Sequence, residues 1–280
     1  MLVSAFISVL RRRYNDLPTK HSDLRTGDGS STVYKTMYSP IKEGSFKLYI
    51  GNALQASSGY TVDLDTGDIA LGAATSAAVN AQYQEVKFRD QHWLEAIQSA
   101  TDSLGDQFFR SVVGNTSGMS LSAGIQKYNC PTGCIRLTEV LESADRTSGG
   151  NWVKPFINTR YDRRSNALIL SAKPTTANYL LISYLKRVDR PTAISSTLDV
   201  EDNWLELLEL KSGAQYHRSM SSRIAQQGNA TIEEGHLSMA QLRALANDYE
   251  AMYESSKKRL KPIMPASEIP YYIHGAGYTF

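Results

Sequence analysis

Cysteine is nearly absent: two residues, Cys130 and Cys134, in a chain of 280. Two thiols cannot build the framework of a disulfide-stapled domain. They enclose Pro131-Thr132-Gly133, a tight-turn sequence, and no second Cys/His pair stands at ligand spacing to complete a zinc site. They read as structural thiols of a reducing compartment. Long apolar runs are lacking too, and nothing approaches the ~20 residues that span a bilayer. The opening stretch Leu2 to Leu10 is followed, not preceded, by Arg11, Arg12 and Arg13, the reverse of a secretory signal. Synthesis and folding in a cytoplasm are therefore expected. An excess of one charge is also missing. Thirty Lys and Arg face 28 Asp and Glu, a net charge of +2, so no global polyanion-binding signature exists.

Catalytic motifs are equally scarce. There is no P-loop, no GxGxxG after a strand, no HExxH and no GxSxG. The five His are scattered at 21, 92, 217, 236 and 274. His92 sits beside Trp93 at a helix start, as a surface or cap residue. Glu233, Glu234 and His236 cluster in a loop, where solvated charge is the simpler reading, because a catalytic acid or base needs burial or partners to tune it. Asp63, Asp65 and Asp68 hint at a calcium loop, but the other oxygen-ligand positions are missing. No catalytic residue, cofactor or metal is expected.

What is present begins with residues 198 to 262. A first helical pattern starts near Asp199 and carries Trp204, Leu207, Leu208, Ala214 and Tyr216. A second starts near Ser238 and carries Leu242, Ala246, Tyr249 and Tyr253. Apolar spacings of three and four give each helix one stripe, and Gly228, Asn229 and Gly235 break the run between them. An antiparallel helical hairpin is expected. It needs further helices, from this chain or from neighbours, to complete a bundle. Sixteen Tyr against seven Phe favour half-wet sheet surfaces and subunit contacts over one dry core.

Taken in order, residues 1 to 31 read as an amphipathic helix (Leu2, Phe6, Leu10) and a polar loop. Residues 32 to 88 read as a first β module, with a hairpin turn at Asp65-Thr66-Gly67-Asp68. Residues 89 to 115 read as a helix with Asp90 as N-cap and Trp93, Leu94, Ile97, Leu104 and Phe108 on its face. Residues 116 to 190 read as a second β module, turning at Arg164-Ser165-Asn166. Strand, turn, strand, loop, strand and Trp-bearing helix thus occur twice, with Gly67 and Asn166 lying 99 residues apart. Either a duplicated module or the ordinary alternation of an α+β chain accounts for this. The expected fold class is α+β: a long helical hairpin in a bundle, two antiparallel β modules and an extended tail.

That tail, residues 263 to 280, has two prolines and no helical period, yet it carries Tyr271, Tyr272, Ile273, Tyr278 and Phe280. Disordered tails are usually poor in such residues, so docking on another chain is expected, with packing on its own domain as the alternative. Two basic clusters remain: Arg11 to Arg13, and Lys257, Lys258, Arg259 and Lys261 closing the last helix. The latter suits a helix C-terminus through the macrodipole. It would also suit the lining of a nucleic-acid passage once many copies assemble, since phosphate contacts need no base readout.

Three features together resemble structural proteins of tailed-bacteriophage virions. The short N-terminal helix leads to Gly59-Tyr-Thr-Val-Asp-Leu-Asp-Thr-Gly-Asp-Ile-Ala-Leu71. Val86-Lys-Phe-Arg-Asp90 enters a Trp helix. A second version, Tyr161-Asp-Arg-Arg-Ser-Asn-Ala-Leu-Ile-Leu170, precedes Tyr179-Leu-Leu-Ile-Ser-Tyr-Leu185. With the helical hairpin and tail, the chain is most similar to head–tail connector, or neck adaptor, proteins, over about residues 1 to 265. The resemblance implies a homo-oligomeric, dodecameric ring between the portal protein and the tail or tail-terminator protein. Duplex DNA would pass through its bore without sequence specificity, and no catalysis would occur. It also implies a tail inserted into the portal. Its β content exceeds that of the small helical adaptors. The competing expectations are a baseplate or fibre-associated host-binding protein, supported by the Tyr-rich strands, and a tail-associated hydrolase.

Overall fold

A computed structural model describes residues 1–105, 108–115, 119–144, 151–153, 155, 158–175, 177–226 and 237–260. The chain is mixed α+β, with four α-helices and several antiparallel sheets among the described residues. It divides into two compact units: Met1–Ser103 with Arg190–Arg259, and a second that includes Leu104–Asp189.

The first unit opens with α1 (Val3–Arg13), which buries Val3, Phe6, Ile7 and Leu10. Two sheets follow. One is built from β1 (Thr19–Arg25), β3 (Lys47–Ile50), β4 (Ala53–Leu54) and β7 (Val79–Glu85), in the order β1-β7-β3-β4. The other orders β2 (Val33–Lys35), β5 (Tyr60–Val62) and β6 (Asp68–Leu71) as β2-β6-β5. Their inner faces share one apolar cluster, with Leu48, Val79, Ala81 and Tyr83 from one sheet and Ile69 and Leu71 from the other. β7 alternates as the period of two requires: Val79, Ala81 and Tyr83 inward, Asn80, Gln82 and Gln84 outward.

The sequence reading made residues 16 to 31 a loop. Instead, β1 pairs with β7 along its full length, from Thr19↔Glu85 to Arg25↔Val79. Its sequence, Thr-Lys-His-Ser-Asp-Leu-Arg, hides the strand because it lies at a sheet edge and leaves no residue fully buried. The expected helix over 89 to 115 is also corrected. Helix α2 is Asp90–Leu104, and Gly105 follows at φ 64, a left-handed stop. The chain then enters strand β8 (Phe109–Asn115), where β-branched Val112 and Val113 suit the pleat.

The second unit contains β8, β9 (Lys127–Asn129), β10 (Cys134–Ser143), β11 (Thr159–Asp162), β12 (Ala167–Leu170) and β13 (Tyr179–Arg187). Their sheets order as β10-β13-β8 and β11-β12-β9. Met119, Leu121, Leu137, Val140, Leu168 and Ile182 are among the residues of its buried cluster.

The two sets of strands have one topology. β1, β2, β3, β5, β6 and β7 correspond in order to β8, β9, β10, β11, β12 and β13, with the same neighbours and all pairs antiparallel. Individual bonds repeat as well. The Thr36 amide donates to the Gly67 carbonyl as that of Cys130 does to Asn166, and Leu71 to Thr32 as Leu170 does to Gln126. Gly67 and Asn166, both at positive φ, close the matched hairpins, and Asp63 and Asp162 each accept backbone amides inside them. Tyr34 and Tyr128 occupy one register position and send their hydroxyls to the matched carbonyls of Ser31 and Ile125. Alternation alone does not reproduce partners, turn conformations and hydrogen bonds together; the chain uses one module twice.

Helices α3 (Asp202–Gln226) and α4 (Met239–Arg259) complete the first unit. They run in opposite directions: Glu206 faces Arg259, Lys211 pairs with Glu250, and Arg243 donates to Ser221. Ser238 and Gln241 exchange hydrogen bonds as a capping box that starts α4. The connection 227–236 lies outside the described residues.

Tyr14 locks α1 against α3. Its hydroxyl donates to the Glu209 carbonyl at 2.9 Å, and the ring crosses α3 at Gly213, where an added Cβ would sit 2.0 Å from the hydroxyl oxygen. Gly213→Ala is therefore expected to destabilise the protein by about 2–3 kcal/mol, the usual penalty of overpacking. The urea midpoint measures it, and the loss shrinks in a Tyr14→Leu background.

Candidate functional site

The most enclosed charged group of the first unit is Asp16, at 0% exposure. Its Oδ1 accepts the amides of Lys87 (2.6 Å) and Phe88 (3.3 Å). Its Oδ2 accepts the Trp93 indole N–H (2.9 Å) and Arg11 Nη1 (2.5 Å). Arg11 also grips Asp90 with Nε and Nη2. Burial lifts the Asp16 carboxyl above the ordinary aspartate range, against the pull of Arg11, the indole and the two amides. Both oxygens are filled and none is open to water, so the carboxylate cannot approach a ligand. It is a structural ion. Arg11, first of the N-terminal basic cluster, is likewise a core residue rather than a surface charge.

Around it lies an aromatic stack. Trp93 and Tyr216 are parallel at 5.1 Å, Tyr14 lies 5.9 Å from Trp93, and His217 stacks on Tyr249 at 5.4 Å. Burial raises the hydroxyl pKa of Tyr14 and Tyr216, so neither serves as a base. His217 is pushed the other way, toward the neutral form, and its Nδ1 has no hydrogen-bond partner among the described residues.

A cleft of about 420 Å³ beside this stack is lined by Val86, His217, Met220, Arg223 and Leu242, among others. Arg223 donates to the Lys87 carbonyl at 2.9 Å. The wall carries two cations, Lys87 and Arg223, with Glu85, Ser39 and the buried imidazole of His217; among the described residues no hydrogen bond links His217 to Ser39 or Glu85 as an acid–base–nucleophile set requires. Among the described residues no group of three or more His, Cys, Asp or Glu could hold a metal ion. Asp63, considered above for calcium, spends Oδ1 on the amides of Asp65 and Thr66 within its own turn. His92 lies 3.8 Å from Asp65, with its ring against Phe88. No helix among the described residues is long and apolar enough to cross a membrane.

The basic end of α4 is only partly free. Lys257 Nζ donates to the Ser103 carbonyl at 2.6 Å and sits 5.5 Å over the Tyr253 ring. Arg259 lies 4.0 Å from Glu206, and Lys258 is exposed. Lys261, the cluster Glu233, Glu234 and His236, and the tail residues Tyr271, Tyr272, Ile273, Tyr278 and Phe280 lie outside the described residues. A second basic group escaped sequence reading: Lys20, Lys42 and Lys47 line one depression on the outer face of the β1-β7-β3 sheet. Only strand register could have found them, because they are spread over 28 positions.

No protein-family model matches the chain, and no curated protein matches it either.

The buried imidazole makes stability depend on pH. Its pKa in the folded state lies below the ordinary 6.5, so the unfolded chain takes up a proton that the folded one refuses. Stability from this group is present above 6.5 and is lost as pH falls toward the lowered value. Urea midpoints at successive pH values should fall in that window for the wild type, and fall less for His217→Phe.

Proposed function

We propose that the chain is a structural virion protein of a tailed bacteriophage, a head–tail connector. Copies form a ring between portal and tail, and duplex DNA passes through the centre. The carrying observation is the outer face of α4. Ala240, Ala244 and Ala251 are exposed on it, small side chains four and seven residues apart along a helix about 31 Å long at ~1.5 Å per residue. Such a stripe lets a second helix approach closely, so α3 and α4 act as a long helical hairpin that a neighbour's helices complete into a bundle.

In this reading the β modules reach toward the tail or radially outward. The segment 263 to 280, with Tyr271, Tyr272, Ile273, Tyr278 and Phe280, docks on the portal. Lys258 and Arg259 face the DNA path.

Two measurements test the proposal. Mass measurement of the neck complex from purified particles should show a ring of this chain, and an image of the particle without it at the capsid–tail junction would refute the reading. Deleting residues 266 to 280 should leave a folded protein that no longer binds filled heads; unchanged head binding removes the docking role of the tail.

A further inference from the structure

We infer that the outer face of the β1-β7-β3 sheet is a binding surface for the phosphate backbone of duplex DNA. The inference rests on the connector reading and assigns the contact to a part of the chain that the helix-borne basic cluster does not include. The face is a depression of about 640 Å³ with Lys20, Lys42 and Lys47 on it. Among the described residues none of the three lysines is within ion-pair distance of a carboxylate. The one acid in the depression, Glu43, is already taken: Arg89 Nε donates to it at 2.9 Å, and the amides of Asp90 and Gln91 cap onto it. Three ammonium groups therefore share one face whose single carboxylate is bound to other partners, an arrangement that costs repulsion until an external anion arrives.

Register supplies the rest. Lys20 stands opposite Gln84 on β7, while Gln82 is flanked by Ser22 on one side and Lys47 on the other. Strands ~4.8 Å apart put Lys20 and Lys47 on lines about 10 Å apart, with amide side chains between. A DNA strand carries a charge every ~3.4 Å along its axis, so this width spans about three phosphates. Lys, Ser and Gln are the side chains that hold phosphate oxygens. Among the described residues its aromatic rings are engaged: His21 stacks on Tyr38 at 4.2 Å and hydrogen-bonds Glu85 at 2.9 Å. Its only tyrosine, Tyr83, packs into the inner cluster and has its hydroxyl bound to Asp23 and the Tyr38 amide. That favours a duplex backbone over an unpaired strand.

The second module is an internal comparison. Where the first has Asn80, Gln82 and Gln84 on its central strand, the second has Leu181, Ser183 and Leu185; Ser111 and Glu139 stand at the positions of Lys20 and Lys47. The lysines and amides stand on this face in one copy, while the other sets leucines there with Arg136 opposite Leu185. The topology therefore does not demand the lysines.

The test is fluorescence anisotropy of a labelled duplex with the full chain, over a salt series beginning at low ionic strength. The wild type should bind, with log K falling against log salt. The triple variant Lys20→Gln/Lys42→Gln/Lys47→Gln should lose up to ~2.7 from that slope, ~0.9 per phosphate contact. Lys258→Gln/Arg259→Gln should change it less. Since all three lysines are at least partly exposed, circular dichroism should show the triple variant folded; Lys47→Glu alone gives the same direction if it is not.

An unchanged slope in the triple variant overturns the inference. So does absence of duplex binding by the wild type at low salt, or competition by inorganic phosphate, at matched ionic strength, as strong as by duplex. Retention of a saccharide on a glycan array that depends on Gln82, without duplex affinity, overturns it in favour of a sugar-binding face. Ring formation is read separately by native mass. Lysine-dependent duplex binding by a chain that is missing from the ring at the capsid–tail junction of purified particles sinks the connector reading and leaves this contact standing.

Discussion

One carboxylate organises the first unit. Asp16 lies just after α1, and its two oxygens collect an arginine from that helix, two amides from the β7–α2 junction and the indole of α2. Two stretches more than 70 residues apart, 11–16 and 87–93, thus meet at one buried charge. A buried ion pair is weak evidence of net stability, because desolvation offsets most of the attraction. Its effect is on geometry. The acceptor has only these donors, so α1, the end of the sheet and the start of α2 have one mutual arrangement in which no charge is left bare. Asp90 adds a second constraint, because Arg11 must satisfy it with the same guanidinium. Around this node the Trp93–Tyr216 stack fixes α3, and Tyr14 over Gly213 sets the distance between α1 and α3.

The β modules show how little of a sequence a topology needs. Their inner faces keep a pattern: Tyr83 and Tyr184 share a position on the central strand, and Tyr34 and Tyr128 share one on the neighbouring sheet. Their turns keep an Asp and a residue able to take positive φ, glycine in one and asparagine in the other. Almost everything else has changed. The outer faces differ most, amides in one and leucines in the other, because a sheet's second face is constrained by what lies outside it rather than by the module's own core.

Legibility followed burial. Strands with one apolar face, such as Val79–Glu85 and Ala167–Leu170, could be read from alternation, as could both long helices from their stripes. The edge strand Thr19–Arg25 could not, since nothing in it is fully buried, and Phe109–Asn115 is separated from the helix before it only by the left-handed Gly105. Arg11 looked like a member of a surface triplet; only the partners reveal that it belongs to the interior and Arg12 does not. The Asp16 node was invisible for the same reason. Its ligands are two backbone amides, an indole and a guanidinium, and no spacing rule links position 16 to 87, 88 and 93.

The two basic groups illustrate why charge runs mislead. Lys257, Lys258 and Arg259 are contiguous, and on a helix each residue turns ~100° from the last, so they point to three different surroundings. One reaches the end of α2, one lies within 4.0 Å of Glu206, and one meets water. Lys20, Lys42 and Lys47 are separated by tens of residues and read as scattered charge. Pairing on either side of β7 sets Lys20 and Lys47 on the same side of one sheet, and the backbone bond from Lys42 to Gln84 brings the third alongside. In a helix, neighbours in sequence diverge; in a sheet, strangers in sequence converge. A multivalent electrostatic surface on this chain is therefore better sought in strand register than in runs of like charge.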